Sequence, residues 1–197
     1  MTAYTSLDYK NIKPATIWAQ AHCHPLMHGE ILVTQRPHQN WGGAAATAQM
    51  YLPLSRQTCW QHLSDYPRWV QYCPDLTRSE ILTPPTPGKP GCKRLYQVGS
   101  KNFILFSTQV EIYLQVFEIS QQQIQFRLEK GSFVDFSADL LLQDHRDGTL
   151  LSYSVAATPN FPIPGMFIQQ ALQLELPANL RQMRQVLLNA ESASFQV

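Results

Sequence analysis

PIPGMFIQQALQLELPANLRQMRQVLL, the stretch from Pro162 to Leu188, sets the reading of the whole chain. Ile168, Leu172, Leu176, Leu180, Met183 and Leu187 recur at steps of three and four, and Ala171 widens the stripe. That is the period of an amphipathic helix with one buried face. Pro164 suits the first helical position, where the missing N–H had no partner to lose. About 24 helical residues would extend roughly 36 Å. Pro177 predicts a bend or local break near Gln173, whose carbonyl lies four residues back. Gly165–Gln173 is then expected to move as a unit and open a passage against the proline-rich loop Thr83–Gly91.

Almost everything between Gly43 and Asn160 alternates with a period of two, the mark of strands with one dry and one wet face. Glu30–Gln35 reads as a first strand and Ala44–Leu52 as a second, half-buried one, with Ala44, Ala46, Ala48, Met50 and Leu52 inward. Small alanines there leave space over the sheet. Ser55 is an N-cap candidate for the helix RQTCWQHLSD, and Pro67 can start a second short helix, RWVQYC. Their aromatic residues Trp60, Tyr66, Trp69 and Tyr72 read first as core packing and second as the rim of a cavity. Further on, Val110, Ile112, Leu114 and Val116, then Ile124, Phe126 and Leu128, form inward sets. Val134, Phe136, Ala138, Leu140 and Leu142 form the next, and Leu151, Tyr153, Val155 and Ala157 the last. Asp147-Gly148 is read as the hairpin turn between these two. A long C-terminal helix laid on such a sheet is an α+β arrangement.

Composition narrows the functions. The net charge is +1, from 15 basic and 14 acidic residues without a basic block, which argues against nucleic acid as a partner. No run of 18 apolar residues and no leader pattern is present, and four scattered cysteines read as reduced thiols, so a cytoplasmic protein is expected. His22, Cys23, His24 and His28 lack a second ligand pair beyond His38, so no metal is expected. No catalytic group and no cofactor is expected either. Asp135 and Asp139 fall on the wet face, Asp144 and Asp147 belong to a turn, and no phosphate loop occurs.

What remains is an apolar cavity between sheet and helix with a few orienting hydroxyls. From the strands, Tyr96, Phe106, Thr108, Val110, Ile112, Leu114, Phe126, Phe136, Ala138, Leu140 and Tyr153 are expected to line it. From the helix, Phe167, Ile168, Ala171, Leu172 and Leu176 complete it.

The run AQMYLPLSRQTCWQHLSDYPRWVQYCPDLTRSEIL (48–82) resembles the opening of the START-like polyketide cyclase/dehydrase and lipid-transport superfamily. GSFVDFSADLLL (131–142), the segment GTLLSYSVAATPNFPIPGMFIQQAL (148–172) and LPANLRQMRQVL (176–187) are similar to its coenzyme Q-binding branch. The resemblance implies the helix-grip fold, a curved antiparallel sheet wrapped around the C-terminal helix, with two short helices after the first strands. It divides the chain into an extension (1–28), a ligand-binding domain (29–190) and a tail (191–197). It implies binding of a hydrophobic small molecule such as a quinone, isoprenoid, lipid or pigment. From the hinge expected at Pro177, Met166 and Phe167 on the moving half of the helix are expected to touch a membrane surface transiently. An aromatase/cyclase acting on a polyketide-like chain is the alternative, as is an assembly factor holding a protein partner.

Overall fold

The computed structural model describes residues 23–38, 42–82, 92–103, 106–160 and 165–194. The loop Thr83–Gly91, the prolines Pro162 and Pro164, residues 1–22 and the side chains of Cys23, Phe106 and Thr108 lie outside the described residues.

The elements run α1 (Cys23–Met27), β1 (Leu32–Arg36), β2 (Ala44–Leu52) and α2 (Arg56–Leu63). A 3-10 turn (Tyr66–Arg68) then leads directly into α3 (Trp69–Tyr72). Six strands follow: β3 (Leu76–Leu82), β4 (Lys93–Phe103), β5 (Phe106–Ile119), β6 (Gln123–Gly131), β7 (Phe133–His145) and β8 (Gly148–Pro159). The chain closes on α4 (Gly165–Ser194). The strands form one eight-stranded antiparallel sheet in the order β1-β2-β8-β7-β6-β5-β4-β3. The only long jump in that order, β2 to β8, places α2, α3 and α4 together on the concave side. This is the helix-grip fold expected from the resemblance.

Local chemistry accounts for the elements. Ser55 caps α2, its Oγ accepting the N–H of Thr58 at 3.0 Å, and Cys59 and Leu63 are its buried residues. Pro67 sits in the first turn of the 3-10 segment. The β7–β8 hairpin turns on Arg146 and Asp147, one residue earlier than the sequence reading, with Arg146 in the left-handed region at φ 53. Gly148 instead opens β8, where a Cβ would run into the carbonyl of Leu52 and the Tyr51 hydroxyl. Gly131, at φ 141, is pressed against the backbone of Glu111 and Ile112, so glycine is required on both counts.

Three expectations change. Cys23–Met27, read as irregular, is helical, and Leu26 packs with Tyr51 and Leu150 on the outer side of the sheet. Accordingly β2 is buried on both faces, including Gln49 at 2% exposure, whose Nε2 donates to Ser152 Oγ at 2.8 Å. Val134 is exposed: a register shift between Phe133 and Asp135 turns Phe133 inward in its place.

Helix α4 runs unbroken for 30 residues with Pro177 inside it. Leu176, Leu180, Met183 and Leu187 are buried in the core, each worth about 1.5–3 kcal/mol by transfer from water. The helix backbone lies closest to β2 and α3, with further approaches to β1 and β8.

Candidate functional site

The inner face of the sheet changes character along its length. At one end Met50, Leu52, Leu142 and Leu151 meet Leu63, Met183 and Leu187 with almost no residual exposure. Toward the N-terminal end of α4, the facing residues Leu128, Phe133, Phe136, Tyr153 and Leu172 pack on the same core but stay only partly buried. Val110, Ile168 and Ala171 are likewise only partly buried. A close-packed core therefore grades into a partly exposed, apolar one.

Its floor is aromatic. The 3-10 turn and α3 bring Tyr66, Trp69 and Tyr72 against Phe126 and Tyr153. Trp69 meets Phe126 edge-on at 5.0 Å, Tyr153 at 6.1 Å and Tyr72 at 6.3 Å between ring centroids, and Tyr66 meets Phe126 at 5.9 Å. Tyr66 and Tyr72 are fully buried and Trp69 is 3% exposed, so core packing is what these rings do first. Trp60 is only partly buried against that core.

Each of these polar aromatics but one is anchored. Trp69 Nε1 donates to the Leu63 carbonyl at 2.9 Å, and the Tyr72 hydroxyl to the His62 carbonyl at 3.2 Å. The Tyr66 hydroxyl donates to Glu118 Oε1, which also accepts Lys93 Nζ at 2.7 Å, while that ammonium lies 5.3 Å from the centre of the Tyr66 ring. Tyr153 differs. Among the described residues its hydroxyl makes no hydrogen bond. Burial holds its phenol well above the usual tyrosine range, with Cys73 and Asp139 adding to the rise.

The expected lining residues fall into three groups. Ile112, Leu114, Phe126, Ala138, Leu140 and Leu176 are in the core beneath or on α4. Val110, Phe136, Tyr153, Ile168, Ala171 and Leu172 border the looser end. Phe167, 47% exposed, stands at the outside with Met166 (67%) and Leu174 (64%). Tyr96 needs correction: it stacks on Tyr113 at 4.7 Å, with Arg78 over its ring at 5.2 Å, on the outer face. Strand β4 turns Leu95 and Gln97 inward, opposite Leu114 and Ile112.

Gln97 is the polar residue that sequence reasoning missed. Its Nε2 donates to Ser79 Oγ at 3.2 Å, which in turn donates to the Tyr66 carbonyl at 2.7 Å. Within KRLYQVG neither alternation phase is cleanly apolar, so only pairing with β5 decides it. On the strands' inner face, Lys93 and Glu118 neutralise each other at one margin, and at the far end of β7 Asp144 pairs with Arg56 at 3.1 Å. Arg127 and Asp139 pair at 2.7 Å on the wet face. Among the described residues no group of three metal-ligating side chains gathers, and His24 and His28 stack on each other at 4.3 Å.

A sequence search of curated proteins finds no match. Solved structures share the fold. A STAR-related lipid transfer protein from Xanthomonas axonopodis superposes with a TM-score of 0.62 at 18% identity, covering 80% of this chain and 93% of that one. A START superfamily protein from Mycobacterium smegmatis gives 0.59 at 18%, covering 74% and 98%. The Zhui aromatase/cyclase from a Streptomyces species gives 0.56 at 10%, covering 82% and 93%. The profile of the family described as polyketide cyclase/dehydrase and lipid transport matches residues 52–184, from the end of β2 into the second half of α4. This chain is therefore a member of the polyketide cyclase/dehydrase and lipid-transport family.

Proposed function

We propose that this protein binds a hydrophobic small molecule between α4 and the sheet and carries or presents it. The carrying observation is the looser end of the inner face: partly buried Val110, Phe136, Tyr153, Ile168 and Leu172 over an aromatic floor. An apolar chain placed there gains about 25 cal/mol for each Å² removed from water. A quinone, isoprenoid, lipid or pigment fits this chemistry, and the sequence likeness to the coenzyme Q-binding branch favours a ring-bearing member of that set.

The aromatase/cyclase reading asks more of the site. Folding a poly-ketone chain requires several groups to orient enolates and move protons. Tyr153 and Gln97 are the polar side chains that the described inner face brings to the looser end, and neither has a basic partner there. Organic extraction of purified protein followed by mass spectrometry tests the proposal. About one lipophile per chain is expected; an empty protein that cyclises a poly-ketone substrate would replace binding with catalysis.

A further inference from the structure

Building on that binding reading, we infer that Tyr153 is the hydrogen-bond donor that orients the ligand. The ligand is then a neutral, oxygen-bearing lipophile, bound with its carbonyl or hydroxyl end inward and its apolar tail toward the N-terminal half of α4.

Tyr66, Trp69 and Tyr72 each place their polar hydrogen on a protein oxygen, as their surroundings require. Tyr153, edge-on to Trp69, has no such acceptor among the described residues. Its ring is only partly buried and borders the looser end, so the hydroxyl is open to an acceptor from outside the protein. A phenylalanine would keep the edge-on contact with Trp69 without offering a donor. In the sheet Tyr153 lies between Leu140 of β7 and Ala48 of β2, with Ala46 following on the same face, and these buried alanines let α4 come close to β2.

The charge pattern selects the oxygen. The phenol keeps its proton because burial opposes ionisation, so it donates. Lys93, a cation at the margin of the described inner face, is already held by Glu118. A carboxylate or phosphate brought to Tyr153 would therefore be buried without a countercharge, a far larger penalty than one lost hydrogen bond. A ketone, a quinone carbonyl or an alcohol carries no such penalty.

The test compares octanophenone, octylbenzene and the carboxylate 4-octylbenzoate, which share a ring and an alkyl tail and differ in the polar group. Binding to the full chain is measured by calorimetry, for wild type and Tyr153→Phe. Wild type is expected to prefer the ketone over the hydrocarbon by on the order of ten-fold, and to bind the benzoate more weakly than the ketone. In Tyr153→Phe the ketone's advantage over octylbenzene should vanish. The infrared carbonyl stretch of octanophenone bound to wild type should shift to lower frequency than in hydrocarbon solvent, a readout that needs no variant. Hydrocarbon binding with no ketone preference, or a preference that survives in Tyr153→Phe, overturns the assignment to Tyr153 alone. Failure of wild type to bind octylbenzene at all overturns the cavity reading with it.

Discussion

Tyr72 and Cys59 hold their protons more tightly in the folded protein than an unfolded chain would. Burial raises Tyr72 from 10.0 to about 12, and Cys59 from 9.0 to about 11. Tyr66 is pushed up further, first by burial and then by Glu118. Each is an acid whose folded-state affinity for its proton exceeds the unfolded one. Its contribution to stability is therefore complete below pH 9–10 and is lost as pH rises through 10–12, because the unfolded chain releases the proton first. For Tyr72 and Cys59 the full loss is on the order of 1–3 kcal/mol each. An alkaline titration following tyrosinate absorbance and circular dichroism together checks this. Tyr66, Tyr72 and Tyr153 should ionise only as the fold is lost, after the more accessible of the eight tyrosines. Reversible ionisation of all eight near pH 10 in a folded protein would contradict it.

At the scale of elements, α4 combines two unlike halves in one continuous helix. Residues after Pro177 carry Leu180, Met183 and Leu187 in the core, while the first turns expose Met166, Phe167 and Leu174. Pro177 lacks an N–H, so the Gln173 carbonyl has no helical donor, yet the helix does not break there. Packing of Leu176 and of buried Pro177 itself on the core explains the continuity. Local opening is cheapest where few apolar contacts hold the backbone. Amides of residues 169–173 should therefore exchange hydrogen faster than those of 179–187, and slow when a lipophile is bound. Equal protection on both sides of Pro177, with and without ligand, would make the helix a fixed wall. Strand β2 shows the opposite case. Its alternation predicts one wet face, but α1 brings Leu26 onto that face and Leu150 joins it.

Across the whole molecule the same gradient should appear in stability. Leu180 is fully buried at the close-packed end, so Leu180→Ala should cost about 2–5 kcal/mol by losing contacts and leaving a void. Leu172 is only partly buried at the looser end, where fewer atoms surround it. Leu172→Ala should cost nearer ~1 kcal/mol while weakening ligand uptake. Urea melts of both variants, with and without a bound lipophile, decide the matter. Equal losses, with uptake intact in Leu172→Ala, would mean that the looser end is ordinary filled core.

The sequence alone determined the elements and their faces. A period of two in β5, β6, β7 and β8 and a three-and-four stripe in α4 are local properties, readable because burial repeats at the pitch of the backbone. That is why Ile112, Phe126, Leu140 and Leu180 could be assigned to the interior from the sequence. Three matters depended on residues far apart in the chain. Tyr96 and Gln97 exchange faces because β4 takes its register from β5. Val134 leaves the inner face because β7 shifts register against β8. Among the described residues of the inner aromatic group, Tyr153 keeps an unanchored hydroxyl, and only the packing that brings Trp69 and Ala48 beside it from two other elements shows this. Register and the filling of space are set by pairing and packing between distant segments, so only the tertiary structure decided which apolar faces close on each other and where they leave room.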